Sequence, residues 1–264
     1  MDEFSSHTFS LITDKDQRVF CEYHFKTPQG IRNFTDEQAT RIAGENADYA
    51  TENLFQAIED VKFPKWRVSV QIMTEQEADN YHVNPFDLTK VWSHRDHPLI
   101  EIGEMELNRN PQNHFSDVEQ PAFASANIVP GMGYSPDKML QARLLSYPDA
   151  HRYRLGVSYA ALPVNRPHTG VNTCNRDGFM RADNSGTGEP NSFGGPKEAP
   201  QYAGHAYNVQ RRADRFYHRE GNDGYRQAGD LFRVMSKNEQ QRLISNIVGS
   251  MKNVTKKDIQ LGKV

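Results

Sequence analysis

Residues 143–156 read Arg143-Leu-Leu-Ser-Tyr147-Pro-Asp-Ala-His151-Arg-Tyr-Arg154-Leu-Gly156. Arg143 and Tyr147 are four positions apart, so they share one face of a predicted helix. A guanidinium beside a phenol favours the phenolate, and a phenolate is a hard anionic ligand that suits ferric iron, including haem iron. His151 and Arg154 follow at helical spacing and carry groups that pair with carboxylates. The spacing leaves an alternative open, in which Tyr147 is an ordinary buried tyrosine hydrogen-bonded to Arg143.

The same helix is predicted to begin shortly before this run. Ser135-Pro136-Asp137 is typical of an N-cap followed by proline at the first helical position, so we expect Ser135 to cap the helix. Helical spacing then continues through Met139, Leu140 and Leu144 to Tyr147.

Four stretches upstream alternate between apolar and polar residues, which indicates β-strands. They are residues 7–14, 18–25, 66–73 and 101–107. A polar turn at Asp14-Lys15-Asp16 joins the first two into a hairpin. Because most of these stretches have no crossover helix between them, we expect antiparallel pairing.

Helices are expected on both sides of the run. Thr35-Asp36-Glu37-Gln38 opens a short helix, and the periodicity continues over 46–60. Past residue 224 the chain is helical again, with a capping box at Ser236-Lys237-Asn238-Glu239, and residues 255–264 carry one further turn.

Composition excludes several classes of protein. The formal net charge is −3, without the basic excess of a nucleic-acid-binding or membrane-surface protein. No apolar run approaches the ~20 residues of a membrane-spanning helix, no signal peptide is visible, and two cysteines cannot build a disulfide framework.

Only 36% of the residues are hydrophobic and the mean hydropathy is −0.79, low values for a chain that buries its own core. We therefore expect an intimate oligomer or a chain that is part of a folding unit. Residues 156–210 are rich in Gly, Pro and Asn without periodicity, and we interpret them as an arm packed over the surface or onto another subunit.

The run at 143–156 closely resembles the proximal haem-ligand signature of the haem catalases, and other blocks resemble the same family in the same order. These blocks are Ser6-His7-Thr8-Phe9, Asn84-Pro85-Phe86-Asp87-Leu88-Thr89-Lys90-Val91-Trp92, Leu107-Asn108-Arg109-Asn110-Pro111, Ser135-Pro136-Asp137-Lys138-Met139-Leu140-Gln141 and Asn191-Ser192-Phe193. The resemblance covers essentially the whole chain. It implies a catalase, an oxidoreductase of the oxidative-stress response that uses haem b to convert hydrogen peroxide to water and oxygen.

The resemblance also implies roles for matching positions. Tyr147 would be the axial ligand of the haem iron, and Arg143 would hold it as phenolate. His7 and Asp137 would extend a hydrogen-bond network behind Arg143. The remaining implied contacts are Arg154 with a haem propionate, and Phe123, Met139 and His151 as lining of the haem pocket.

A second cofactor, NADPH, is implied by Lys26, Trp92 and His94, which match positions where many family members hold it. The phosphate-binding arginines expected upstream of them are not in this chain. Ordinary roles stay open as well: Trp92 and Phe123 as core aromatics, His7 as a buried imidazole with satisfied hydrogen bonds, and Lys26 as a solvated charge.

The family places an essential His and an Asn over the distal face of the haem, in segments before the Ser-His-Thr-Phe block. None of the ten histidines here has a comparable context. We therefore expect the chain to match the second half of the family, without the distal residues, the first half of the barrel or the final helical segment. Because a distal His supplies acid–base catalysis of about 10²–10⁴-fold, we expect little activity from this chain alone.

The expected fold class is α+β, namely the second half of a catalase-like antiparallel β-barrel with a long wrapping segment and C-terminal helices. We predict the half-barrel with inserted helices over residues 1–125, the proximal haem helix and wrapping arm over 126–210, and the helical region over 211–264.

Two other functions stay open. One is that of a non-catalytic haem-binding or partner-binding fragment that joins intact subunits, and the other is that of a relative that processes fatty hydroperoxides. The resemblance implies a homotetramer, weakened by a missing arm, with no nucleic-acid or membrane partner. The ending Gly262-Lys263-Val264 is not a Ser-Lys-Leu peroxisomal address, so cytoplasm and peroxisome are both expected compartments.

Overall fold

The computed structural model describes residues 1–168, 179, 181, 217 and 219–262. The chain divides into two compact units. The first consists of Met1–Ile31, Asn53–Leu88 and the described part of Trp92–Val209, and the second of Arg32–Glu52, Thr89–Val91 and the described part of Gln210–Val264. Most of the predicted arm, with its Asn191-Ser192-Phe193 block, lies outside the described residues. The predicted boundaries at 125 and 210 stay predictions.

The first unit is built on a six-stranded antiparallel sheet. Its strands are β1 (Glu3–Phe4), β2 (Phe9–Ile12), β3 (Arg18–Lys26), β4 (Lys65–Thr74), β5 (Ile100–Glu106) and β6 (Met132–Gly133). The order is β5-β4-β3-β2-β6, and β1 also pairs with β3. The four strands predicted from alternation are all present, and every pairing is antiparallel as predicted. β1 and β6 escape prediction because two residues are too few to show alternation.

The turn between β2 and β3 sets the register of the hairpin. Asp16 adopts a φ of +59°, which Asp tolerates better than most residues, and its N–H donates to the Thr13 carbonyl over 3.0 Å. Phe9 then lies opposite Cys21. Continued by one residue, this register brings Thr8 opposite Glu22.

One face of the sheet carries the apolar core of the first unit. Phe20 and Met73 face each other on β3 and β4, and helix α3 (Glu75–Asn80) adds Ala78. Trp92 completes the buried cluster, and Tyr81 and Phe86 pack against it. Buried polar residues are also numerous in this unit, among them Thr8, Ser10, His24, Ser69 and Gln71. The low hydrophobic content of the sequence is therefore matched by a partly polar interior.

Helix α4 (Lys138–Arg154) follows β6 and contains most of the run at 143–156. Its N-cap is Asp137, so the prediction of Ser135 as the cap is wrong by two residues. The Ser135 hydroxyl instead donates to the Thr8 carbonyl oxygen over 2.5 Å. The Asp137 carboxylate accepts the first free N–H groups of the helix, and Pro136 precedes the helix rather than opening it.

The second unit is helical in its described part. It contains α1 (Asp36–Glu45), α5 (Arg226–Val234), α6 (Lys237–Met251) and α7 (Lys257–Gln260), and α2 (Tyr49–Glu59) begins in it. The predicted caps at Thr35 and Ser236 both form capping boxes. The Gln227 amide accepts the Val91 N–H and donates to the Val91 carbonyl, each over 3.0 Å. Of the helices in the described ranges, none combines the length and apolar character needed to cross a membrane.

Candidate functional site

The candidate site begins at Asp137, the N-cap of α4. One carboxylate oxygen, Oδ1, accepts the backbone N–H groups of Met139 and Leu140 over 2.8 and 3.1 Å. The other, Oδ2, lies 2.5 Å from Nδ1 of His7. A helix N-terminus stabilises a carboxylate, so the fold holds a negative charge here although Asp137 is buried.

His7 connects this carboxylate to α4. Its second ring nitrogen, Nε2, lies 2.7 Å from Nη1 of Arg143. A guanidinium only donates hydrogen bonds, so Nε2 must be the acceptor and Nδ1–H must donate to Asp137. His7 is thus a neutral imidazole in one tautomer, with both nitrogens paired. His7 is therefore also a buried imidazole with satisfied hydrogen bonds, the ordinary role considered for it. The two roles are compatible, because its hydrogen-bond partners, Asp137 and Arg143, are the members of the network.

Arg143 carries the network to Tyr147. Its Nη2 donates to the Tyr147 hydroxyl oxygen one helical turn later. The terminal nitrogens of the guanidinium therefore bind different partners, His7 on one side and Tyr147 on the other. The result is a continuous chain of hydrogen bonds that ends at a phenol oxygen, as the resemblance implies for Asp137, His7, Arg143 and Tyr147.

Two large apolar side chains that the resemblance assigns to the haem pocket are exposed. Phe123 is 85% exposed and Met139 is 54% exposed. Met139 lies two helical turns before Tyr147 on the same face of α4. His151 ties the Phe123 backbone to this helix, because its Nε2 lies 2.8 Å from the Phe123 carbonyl oxygen. The core role considered for Phe123 is therefore wrong for this structure.

These features fit a haem. Large exposed apolar side chains gain free energy when a flat apolar ligand covers them, and the phenol oxygen of Tyr147 supplies an axial donor. His151 also has its tautomer fixed, since Arg154 donates to Nδ1 over 3.4 Å and Nε2–H must then donate to Phe123.

Arg154 is engaged with backbone rather than with a carboxylate. Its terminal nitrogens donate to the carbonyl oxygens of Glu119 and Pro121 over 2.6 and 2.5 Å. The Asn165 amide also binds this segment, by accepting the Ala122 N–H over 2.7 Å and donating to the Gln120 carbonyl oxygen over 3.0 Å. Arg154 thus positions the segment that presents Phe123, and its contact with a propionate stays a prediction.

The three residues implied for NADPH binding differ in their burial and in their contacts. Trp92 is 2% exposed, lies in the core cluster and donates from Nε1 to the Pro85 carbonyl, so its alternative role as a core aromatic holds. Lys26 is paired with Asp2 over 3.0 Å rather than freely solvated. The His94 ring lies 5.4 Å from that of His24. NADPH binding stays a prediction.

Three residues of the site were missed by sequence reasoning as functional positions: Thr8, Glu22 and Ser135. The Ser135 hydroxyl donates to the Thr8 backbone carbonyl, and Thr8 Oγ1 lies 3.3 Å from Glu22 Oε1. Burial raises the pKa of Glu22 to about 7, and the negative charge of Asp137 adds to the rise. Glu22 shares one face of β3 with Phe20 and His24, which are both buried, so a carboxyl on the buried face of a predicted strand was the available signal.

Comparison with known proteins gives consistent matches. A family model described as catalase matches residues 1–206, and one described as catalase-related immune-responsive matches residues 218–262. The chain is 51% identical to a catalase of the Onchocerca volvulus endobacterium and 49% identical to catalase A of Pseudomonas putida. Each alignment covers 98% of this chain and 55% of the relative. The chain thus spans about half the length of the curated relatives it matches.

Solved structures agree with these matches. A bacterial catalase superposes with a TM-score of 0.84 at 42% identity, over 97% of this chain and 54% of that one. A fungal catalase superposes with a TM-score of 0.83 at 37% identity, over 94% and 52% of the two chains. The predicted fold class, α+β with part of an antiparallel barrel and C-terminal helices, is confirmed.

Proposed function

Because the chain belongs to the catalase family, we propose that it supplies the proximal haem site of a catalase that converts two molecules of hydrogen peroxide to two of water and one of oxygen. The reaction is proposed for the whole protein, since the chain spans about half the length of its relatives. The observation that carries the proposal is the continuous hydrogen-bond chain from Asp137 to the Tyr147 oxygen.

Tyr147 is the residue that would hold the iron, and Phe123, Met139 and His151 would hold the haem plane. When bound, the haem iron supplies the redox chemistry that splits the oxygen–oxygen bond of peroxide. Arg143 donates to the phenol oxygen, and its positive charge would stabilise the anionic oxygen that binds ferric iron.

Asp137 and His7 keep Arg143 in place. A guanidinium at the end of a flexible side chain has many rotamers, but two partners on different nitrogens fix its plane. The neutral His7 orients the guanidinium of Arg143 without adding charge. The Asp137 carboxylate, which the helix N-terminus holds, balances the positive charge of Arg143. The bond that Arg143 donates to the phenol oxygen is thereby held in a fixed direction.

The direct test is the visible absorption spectrum of the purified chain after addition of haem, compared with Tyr147→Phe. Wild type should show a tyrosinate-type ferric spectrum, and the variant should lose it. Tyr153→Phe is a matched control, because Tyr153 is on the same helix and 86% exposed, and it should behave as wild type. Identical spectra for wild type and Tyr147→Phe would contradict the proposed ligand.

An oxygen electrode tests the catalytic part. We expect this chain to release little oxygen from hydrogen peroxide, because none of its histidines has the sequence context of the family's distal residue. Rapid oxygen release that survives in Tyr147→Phe would exclude a haem reaction at this site. Light scattering of the same samples tests the homotetramer, which we propose from the family resemblance.

A further inference from the structure

Glu22 lies beside the proximal network without belonging to it. It is a partly buried residue of β3, opposite Gln71 on β4. Within the described part of the chain, no Lys, Arg or His side chain forms an ion pair with it. Three titratable groups interact electrostatically with Glu22. They are Asp137 of the α4 cap, Tyr81 after α3 and Cys21 on the same strand as Glu22. All three are acidic groups, so nothing among them compensates a negative charge on Glu22.

The contacts of Thr8 depend on the protonation state of Glu22. Thr8 Oγ1 lies 2.7 Å from the Pro85 carbonyl oxygen and 3.3 Å from Glu22 Oε1. A hydroxyl has a single hydrogen, and the shorter contact to an oxygen that only accepts takes it. A neutral Glu22 can donate its own hydrogen to Thr8 Oγ1 across the 3.3 Å contact, whereas an ionised Glu22 competes with the Pro85 carbonyl for the Thr8 hydrogen. Burial and the charge of Asp137 raise the pKa of Glu22 to about 7, while donation from the Thr8 hydroxyl to an ionised Glu22 opposes the rise.

Thr8 connects Glu22 to the network. It follows His7 directly in the chain, and its carbonyl oxygen accepts the Ser135 hydroxyl over 2.5 Å. The same hydroxyl oxygen lies 3.3 Å from the Asp137 backbone nitrogen and accepts from it. A change in the position of Thr8 thus reaches both members of the His7–Asp137 pair through direct bonds.

We infer that Glu22 is a positioning residue of the proximal site: as a neutral acid it fixes Thr8 and, through Thr8, the His7–Asp137 pair, and its ionisation loosens that pair. Ionised Glu22 attracts the Thr8 hydrogen away from the Pro85 carbonyl, which keeps only the longer 3.3 Å bond from Trp92 Nε1. It also places a second negative charge near Asp137. The inference deepens the proposed function, because the pair it concerns lies behind the proposed iron ligand.

The test uses the haem-free chain with nitrogen-15 in its histidines. The Nδ1 proton of His7, 2.5 Å from a carboxylate oxygen, should give a far-downfield nuclear magnetic resonance signal that His7→Gln removes. We expect this signal to shift or broaden as the pH rises, with a midpoint near 7. In Glu22→Gln, whose amide donates as the neutral acid does, the signal should stay constant over the same range. The exposed Glu3→Gln should respond as wild type.

Two further variants test the path through Thr8. Thr8→Ser keeps the hydroxyl and should keep the pH response, whereas Thr8→Val removes the hydroxyl and should lose most of it. The inference is overturned if Glu22→Gln, folded as wild type by circular dichroism, keeps the wild-type midpoint, or if Thr8→Val responds fully. Because no haem is present, a failure of haem binding would overturn the proposed function and leave this result standing.

Discussion

His7 and Arg143 are 136 positions apart in the chain, yet Nε2 of one accepts a hydrogen bond from Nη1 of the other over 2.7 Å. This bond joins the strand region, which carries His7, to the helix that carries Tyr147. It converts a local Arg–Tyr contact into a network with a fixed direction. The site therefore depends on the sheet as much as on its own helix.

Arg143→Lys should weaken haem binding. An ammonium is a compact charge and cannot bind His7 and Tyr147 with the spacing of a guanidinium fork. Loss of one charge-assisted hydrogen bond, about 1.5–3 kcal/mol, corresponds to roughly ten- to hundred-fold lower affinity, measured by haem titration. Arg152→Lys, exposed on the same helix, is the control and should keep the wild-type affinity. Equal affinities for both variants would show that the fork geometry does not matter.

Arg154→Met should loosen the segment that presents Phe123. The variant keeps an aliphatic side chain but loses the bonds to the Glu119 and Pro121 carbonyls. We expect faster cleavage by chymotrypsin after Phe123, followed by mass spectrometry. Arg152→Met serves as the comparison, and cleavage after Phe123 at the same rate in both would show that Arg154 does not hold the segment.

Gly133→Ala should destabilise the pairing of β2 with β6. An added Cβ would lie 2.6 Å from Ser10 Oγ and 3.0 Å from Ile12 Cδ1. Overpacking of this kind costs about 1–3 kcal/mol in the free energy of unfolding, measured with urea. Gly103→Ala on β5 has no atom within 4 Å of the new Cβ and provides the matched control. A loss of the same size in both variants would assign the effect to backbone conformation instead.

The free energy of unfolding should fall as the pH rises from about 4.5 to about 7, through Glu22. Its pKa increases from 4.5 to about 7 in the fold, so between these values the folded chain holds a proton that the unfolded chain releases. Stability therefore decreases with pH over this window. Urea unfolding of Glu22→Gln at several pH values should lack this part of the slope, and Glu3→Gln should retain it. An unchanged slope in Glu22→Gln would refute the assignment.

Cys21 should resist alkylation in the folded chain. Burial raises the pKa of its thiol to about 12, and the thiolate is the reactive form. In a Cys174→Ser variant, iodoacetamide at pH 8 should label Cys21 only after urea is added. Rapid labelling without urea would show that β3 opens on the timescale of the reaction.

Alternation and capping patterns predict most of the regular structure because they depend on neighbouring residues. The hairpin at Asp14–Asp16 and the capping box at Ser236 are local, and both are present. The cap at Ser135 is not predicted correctly, because a residue 127 positions away takes its hydroxyl. A tertiary contact of this kind leaves no trace in the local pattern.

The residues of the candidate site also fall into those that local spacing predicts and those that depend on long-range contacts. The pair Arg143 and Tyr147 follows from helical spacing, whereas His7 and Asp137 entered through family resemblance. The backbone role of Arg154 required the structure, because carbonyl oxygens of Glu119 and Pro121 have no sequence signature. Glu22 was visible as a carboxyl in a strand, but its relation to Thr8 depends on the register of two strands.

The position of His7, two residues before β2, also has a consequence for biosynthesis. The β2–β3 hairpin closes through contacts within residues 9–26, long before α4 leaves the ribosome. The hairpin would therefore place the backbone of His7 before Asp137 and Arg143 are made, and these two residues would then orient its ring. A nascent chain with the hairpin in the wrong register would present the ring on the wrong face. Cofactor acquisition would then report that the hairpin, which precedes α4 in the chain, has folded in the correct register.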